Sequence, residues 1–295
     1  TITPVSVYLR LRDKFPNSLL LESSDYRAND NTFSYICCKP IASITVKNEV
    51  ITEVFPDGTT TTTSIEGDTD VVGIIEGFAK KFETEDNEQK FIQNGLFGYM
   101  SYDAVRYFED IEVTKKEAQL DVPDLYYAVY QNIIAINHFN NEAHIFSHTY
   151  NEENNLSQIA QLLTVKSFAE YHFKLEGEQQ SQMSDEAFIE LVKTCKKHCQ
   201  RGDVFQIVPS KRFSQGFSGD EFNVYRSLRS VNPSPYLFFF DYGNFKIFGS
   251  SPEAQLIVKE GKAEIHPIAG TFKRTGNDEK DAALAKKLSE DAKEN

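Results

Sequence analysis

The stretch from Gly249 to Thr271, GSSPEAQLIVKEGKAEIHPIAGT, constrains the fold more than any other part of the chain. Pro252 has no N–H to give to a helix or a central strand, and it biases Ser251 towards an extended backbone. Glu253 follows at once, which puts a carboxylate at the mouth of a strand rather than on a solvated helix face. Ala254 to Lys259 alternates as a first strand, Glu260-Gly261 turns, and Ala263 to Ile268 returns as a second. At Ala269-Gly270-Thr271 a small residue, a glycine and a hydroxyl leave backbone N–H groups open to an anion. The same grammar describes an ordinary turn and hairpin, so on local pattern both readings stand.

The remaining sequence narrows the class. A length of 295 residues suggests two domains, and 40% hydrophobic residues suffice for sizeable cores. The 31 basic and 44 acidic residues give a net charge of -13, which argues against nucleic acid or an anionic membrane as partner. An anionic ligand must then be attracted locally, by a metal ion or by oriented N–H groups. No apolar run approaches the roughly 20 residues of a membrane span, and the first residues do not read as a secretory signal. Cys37-Cys38 are vicinal, and Cys195 and Cys199 lie four apart on a helix. Zinc at the second pair would need His198, which points to a different helix face, so reduced structural thiols and a cytoplasmic setting are expected.

Short strands and helices interleave without a regular βαβ repeat. The expected class is α+β, with two packed antiparallel or mixed sheets and helices outside. Val5 to Lys14 reads as a short helix, Ser18 to Ser24 as a buried strand with a polar exit, and Ser34 to Cys38 and Ile44 to Val54 as further strands. Asp70 to Phe82 is an amphipathic helix, and Tyr126 to Phe146 two strands about a turn at Asn137 to Asn141. The polar run Lys174 to Ser184 reads as a linker, which divides the chain into domains 1–178 and 179–295. Ser184-Asp185 then caps a helix over Ala187 to Gln200, and Gly202 to Phe213 enters as a strand. A helix over Glu221 to Ser230 leads through Asn232-Pro233-Ser234-Pro235-Tyr236 into a strand from Leu237 to Tyr242. Asp281 to Glu294 reads as a last helix.

Three blocks carry a resemblance: Gly202 to Ser210 (GDVFQIVPS), Asn232 to Tyr236 (NPSPY), and Gly249 to Thr271. In this order they resemble the chorismate-utilising enzymes, and within them the anthranilate synthase large subunits. The resemblance covers most of the chain. It implies conversion of chorismate and ammonia to anthranilate and pyruvate, with ammonia delivered by a separate glutaminase subunit. Relatives that add water to chorismate carry a lysine base at the position of Gln206; glutamine accepts no proton at working pH. The aminodeoxychorismate synthases carry Pro-Ile-Lys-Gly-Thr, where this chain has Pro267-Ile268-Ala269-Gly270-Thr271. Gln206 and Ala269 together therefore favour direct attack by ammonia. The resemblance further implies Glu253 as acid for the departing hydroxyl, a role requiring a raised pKa, and Gly270 and Thr271 as positioning groups for the ring. It implies Mg²⁺ at Glu294 with Asp291 in support.

The Leu20-Leu21-Glu22-Ser23 strand and the Asn-Pro-Ser-Pro-Tyr loop match the feedback site for L-tryptophan. That assigns Glu22 and Ser23 to one wall, and Pro235, Tyr236 and Leu237 to the other. Further substrate and metal ligands of the family are expected beyond Asn295, so the chain reads as the truncated front part of such a subunit and is expected to be inactive. Two other readings remain at this stage. One is a different chorismate-utilising enzyme, aminodeoxychorismate synthase first. The other is a non-catalytic tryptophan-binding or partner-docking fragment.

Overall fold

The computed structural model describes residues 3–23, 32–84, 91–113, 120–150, 154–165, 167–259, 261–266, 273 and 275–289. Its first element, α1 (Pro4–Leu11), is started by its own sequence. Thr3 and Ser6 form a capping box in which each hydroxyl accepts from the other's backbone N–H, and Pro4 occupies the first turn, where its missing N–H costs nothing. There follow β1 (Leu19–Glu22), β2 (Phe33–Lys47), β3 (Val50–Val54), β4 (Thr60–Ser64), α2 (Val71–Ala79), β5 (Phe97–Met100), a 3₁₀ turn (Tyr102–Tyr107), β6 (Leu125–Asn137), β7 (Glu142–Ser147) and α3 (Leu156–Thr164). The chain continues through β8 (Phe173–Ser181), α4 (Asp185–Arg201), β9 (Phe213–Gly219), α5 (Phe222–Val231), β10 (Tyr236–Asp241), β11 (Lys246–Ser251), β12 (Ile257–Lys259), β13 (Lys262–Glu264) and α6 (Asp278–Ser289). These elements fall into two units, Thr1–Ser167 with Leu228–Asn295, and Phe168–Ser227.

In the first unit nine strands join one sheet, and every pairing among the described residues is antiparallel. Its spine is β2 against β6, paired from Phe33↔Asn137 to Val46↔Leu125. The register shifts between Pro40 and Ala42, beside Lys39, whose φ of 60° lies in the left-handed region. From this bulge the sheet divides. Before it, β1, β10 and β11 extend from β2, and β7 flanks β6. After it, β3 and β4 extend from β2, and β5 flanks β6. Two apolar cores pack against the sheet. Leu19, Cys37, Phe97, Ala128, Tyr130, Ile133, Phe240 and Tyr242 form one, which runs past the bulge; Ile44, Val46, Ile51, Leu125 and, from α2, Val71 and Phe78 belong to the other.

The second unit holds the β8–β9 pair, α4 and the start of α5. Ser184 caps α4, accepting from the Ala187 N–H at 3.2 Å, and Gly202 ends it with φ 78°. Two sequence expectations are corrected here. The polar run at 174–184 is not a linker: Phe173–Ser181 is a strand paired with β9, its side chains exposed on both faces. Backbone pairing rather than burial holds it, which is why its hydrophobicity gave no sign of it. Residues 202–212, expected as a strand, are irregular up to Phe213. Pro209 withholds an N–H there, and no described strand pairs with this segment. The α+β class, with antiparallel sheets and helices, is the observed architecture.

Gly98 shows how closely β5 lies on β6. A Cβ on it would sit 1.8 Å from the Tyr126 carbonyl oxygen, a backbone atom that cannot swing aside. Gly98→Ala is expected to cost about 3 kcal/mol of stability in urea denaturation, as overpacking against backbone does. A variant as stable as the parent would contradict this packing.

Candidate functional site

Glu22 is the last residue of β1, directly opposite Leu237 on β10. Its side chain is 2% exposed, and the Arg229 Nε–H, from the last turn of α5, reaches both carboxylate oxygens at 3.1 and 3.0 Å. A buried carboxylate demands such a partner, since an unpaired charge is costly away from water. Beside it the Ser23 N–H donates to Ser34 Oγ at 3.1 Å, and Ser34 Oγ lies 2.6 Å from His138 Nε2. Burial pushes the His138 imidazole below the usual histidine value; Glu22 opposes this and Arg229 adds to it. The tertiary structure thus joins the Leu-Leu-Glu-Ser strand to the Asn-Pro-Ser-Pro-Tyr loop, 207 residues apart at the Arg229–Glu22 contact. Leu237 is buried, Pro235 half-buried and Tyr236 exposed. Strand alternation sends the Tyr236 side chain to the face opposite Leu237.

The Ser-Ser-Pro-Glu turn continues from β11, the edge strand next to β10. The strand stops before Pro252, as the missing N–H dictates. Ser250 lies opposite Leu237 and Ser251 opposite Tyr236. The Ser250 hydroxyl donates to the Asn232 carbonyl at 2.6 Å and lies 2.7 Å from Ser234 Oγ. The Ser251 hydroxyl donates to the Glu253 carbonyl at 3.2 Å and accepts from the Glu253 N–H at 3.3 Å. The Glu253 side chain is exposed. The hairpin after it forms as β12 and β13, three residues each, with Gly261 at φ 73° in the turn. Ala269, Gly270 and Thr271 lie outside the described residues, as do Asp291 and Glu294.

Gln206 sits on the irregular, exposed segment of the second unit. Near it, at the end of α4, Asp203 accepts from Arg201 and lies 2.8 Å from His198 Nδ1, and these contacts hold its carboxyl below the usual range. Among the described residues no group of three or more His, Cys, Asp or Glu side chains is arranged to hold a metal ion. None of the four cysteines is in a disulfide. A cavity of about 350 Å³ opens in the other half of the sheet, between Ile41, Phe55, Phe82 and Val129 with Lys81 and His148, and contains none of the candidate residues. Among the described residues no helix is long and apolar enough to cross a membrane.

Arg229, His138, Ser34, Ser234 and Ser250 escape the sequence reading. Only Arg229 carries a usable signal: a glutamate inside an apolar strand requires a cation, and a basic residue stands just ahead of the proline loop. Arg229→Met is expected to lower stability by about 2 kcal/mol, less than for a fully enclosed pair because the arginine is partly exposed. Arg229→Lys should recover part of the loss; a Met variant of parental stability would mean that the Arg229–Glu22 contact contributes nothing to folding. For His138 the folded protein binds its proton at lower pH than the unfolded chain, near 6.5 for the latter. Its contribution to stability is full above that pH and falls away as pH drops through the lower folded-state value. His138→Gln should flatten the stability profile between about pH 7 and 5 in urea titrations; an unchanged slope would assign the dependence elsewhere.

Comparison with known proteins bears on this geometry. A family model described as chorismate binding enzyme matches residues 19–295. The chain is similar to "Anthranilate synthase component 1" of Lactococcus lactis subsp. lactis (strain IL1403), 33% identical, covering 100% of this chain and 64% of that protein. It is 33% identical to the protein of the same name from Saccharomyces cerevisiae (strain ATCC 204508 / S288c), covering 97% of this chain and 60% of the relative. Its fold matches the crystal structure of anthranilate synthase component I from Streptococcus pneumoniae TIGR4 with a TM-score of 0.67 and 26% identity, over 99% of this chain and 63% of that one. The chain thus spans less than two thirds of the length of these relatives. With 277 consecutive residues, 19 to 295, inside the family model and the antiparallel fold of a solved relative, the chain belongs to the chorismate binding enzyme family.

Proposed function

We propose that this chain is the front part of an anthranilate synthase large subunit, which converts chorismate and ammonia to anthranilate, pyruvate and water. The observation that carries the reading is its similarity, along its whole length, to proteins of that name. The residues agree with it chemically. Gln206 is no base for activating water, and Ala269 offers no amine to attack the ring, so ammonia forms the new C–N bond itself. As that bond forms, the ring C–O bond breaks, and Glu253 supplies the proton with which the hydroxyl leaves as water. Loss of the enolpyruvyl group as pyruvate then leaves an aromatic ring. The backbone and hydroxyl of Gly270 and Thr271 position the substrate.

Glu294, with Asp291 behind it, would hold Mg²⁺, which when bound neutralises a substrate carboxylate in a protein of net charge -13. Ammonia comes from a glutaminase subunit, in a cytoplasmic setting. L-Tryptophan binds against Glu22 and Ser23, with Pro235, Leu237 and the Tyr236 backbone as the other wall; a buried carboxylate beside an apolar strand suits an ammonium joined to an indole.

Product analysis after incubation with chorismate, Mg²⁺ and ammonium tests the reading. Anthranilate is expected from the full-length protein and not from the 295-residue chain alone. Aminodeoxychorismate or isochorismate from the full-length protein would overturn the assignments of Gln206 and Ala269. Glu253→Gln should lower turnover about 10²- to 10⁴-fold, the usual worth of a general acid; normal turnover would remove Glu253 from the mechanism.

A further inference from the structure

The regulatory candidates and Glu253 lie near one edge of the nine-stranded sheet, and the contacts between them run through Ser250. Glu22, Leu237 and Ser250 lie directly opposite one another on β1, β10 and β11. Opposed residues of antiparallel strands put their side chains on the same face, so the three form a row. At one end of it Arg229 holds Glu22. Just after Arg229, α5 ends at Val231, with the Asn232 N–H donating to the Leu228 carbonyl at 2.8 Å. The Asn232 carbonyl in turn takes the Ser250 proton.

A hydroxyl has one proton. With its own spent on Asn232, Ser250 accepts from Ser234, which is buried between Pro233 and Pro235. Ser234 Oγ also lies 3.5 Å from the Tyr236 carbonyl. The prolines leave the loop few backbone states of its own, so it shifts as a body. Beyond Ser250, the Ser251 hydroxyl clasps the backbone of Glu253 on both sides. From Glu22 to Glu253, every link is a hydrogen bond, a strand pairing or a short piece of backbone.

We propose that Ser250 is a positioning residue that transmits occupancy of the amino-acid site at Glu22 to Glu253. The proposal rests on the tryptophan and Glu253 assignments above. An ammonium arriving at Glu22 competes with Arg229 for the carboxylate. Releasing Arg229 frees the last turn of α5, and with it Asn232, from which Ser250 hangs. Ser250 then exchanges partners, and the turn that carries Glu253 leaves its working position. Inhibition follows without contact between inhibitor and substrate.

The test uses full-length protein: wild type, Ser250→Ala, Ser250→Thr and Ser234→Ala. Anthranilate formation is followed with and without saturating L-tryptophan, and tryptophan binding is measured by calorimetry. Ser250→Ala is expected to bind tryptophan within about twofold of wild type while its residual activity at saturation rises at least about fivefold, a loss within the usual range of allosteric coupling. Ser250→Thr, which keeps the hydroxyl, should be inhibited as wild type is. Strong inhibition of Ser250→Ala at saturation would overturn the relay while leaving the tryptophan site standing. A wild type that neither binds nor responds to tryptophan would overturn the tryptophan site, and the relay with it. Should Ser250→Ala not fold, Ser234→Ala decides: undiminished inhibition there overturns the proposal.

Discussion

The pairing of β2 with β6 is the constraint on which the first unit depends. A straight strand of 15 residues would run about 50 Å, too long for one flat side to be covered by the short elements around it. The register shift between Pro40 and Ala42 resolves this by dividing the spine into two stretches, each with its own neighbouring strands. β-Bulges sharpen twist and re-aim the strands beyond them. The proline contributes directly, because it removes one ladder donor where the register slips. The consequence for function is positional: β1, β10 and β11 all build outward from the stretch before the bulge.

That outward edge concentrates groups a sheet would normally exclude. A glutamate ends an apolar strand, and its charge is tolerated because an arginine from the neighbouring helix meets it. The contact helps to orient the end of α5 against the sheet, and hence the proline loop that follows. Buried ion pairs contribute little net stability once desolvation is counted, yet they are expensive to break from one side only.

In the other half of the sheet, aromatic packing stands beside the Lys81–Glu53 and Arg106–Asp124 ion pairs. Phe78 of α2 fills the space between Phe55 and Phe82, with ring centroids 5.7 and 5.1 Å away, and Gly98 lets β5 lie against β6. Its cavity is lined by apolar walls with Lys81, which also pairs with Glu53 and stands over the Phe55 ring.

The sequence by itself determined the elements whose reasons are local. The Thr3–Ser6 box starts α1, Ser184 and Gly202 bound α4, Pro252 ends β11, and the polar exit at Glu22-Ser23 closes β1; cap chemistry and the missing proline N–H act within a few residues. It determined the family as well, through blocks whose order and spacing survive without any knowledge of contacts. Tertiary structure alone decided what depends on partners far along the chain. Lys174 to Ser181 has the composition of a linker and becomes a strand because β9 supplies its hydrogen bonds. Residues 202–212 have the β-prone residues of a strand and are irregular, with no described strand paired to them. Arg229 reaches Glu22 and Ser250 reaches Asn232 only after β1, β10 and β11 have come into register, because a backbone ladder, indifferent to which side chains it aligns, sets which distant residues face one another.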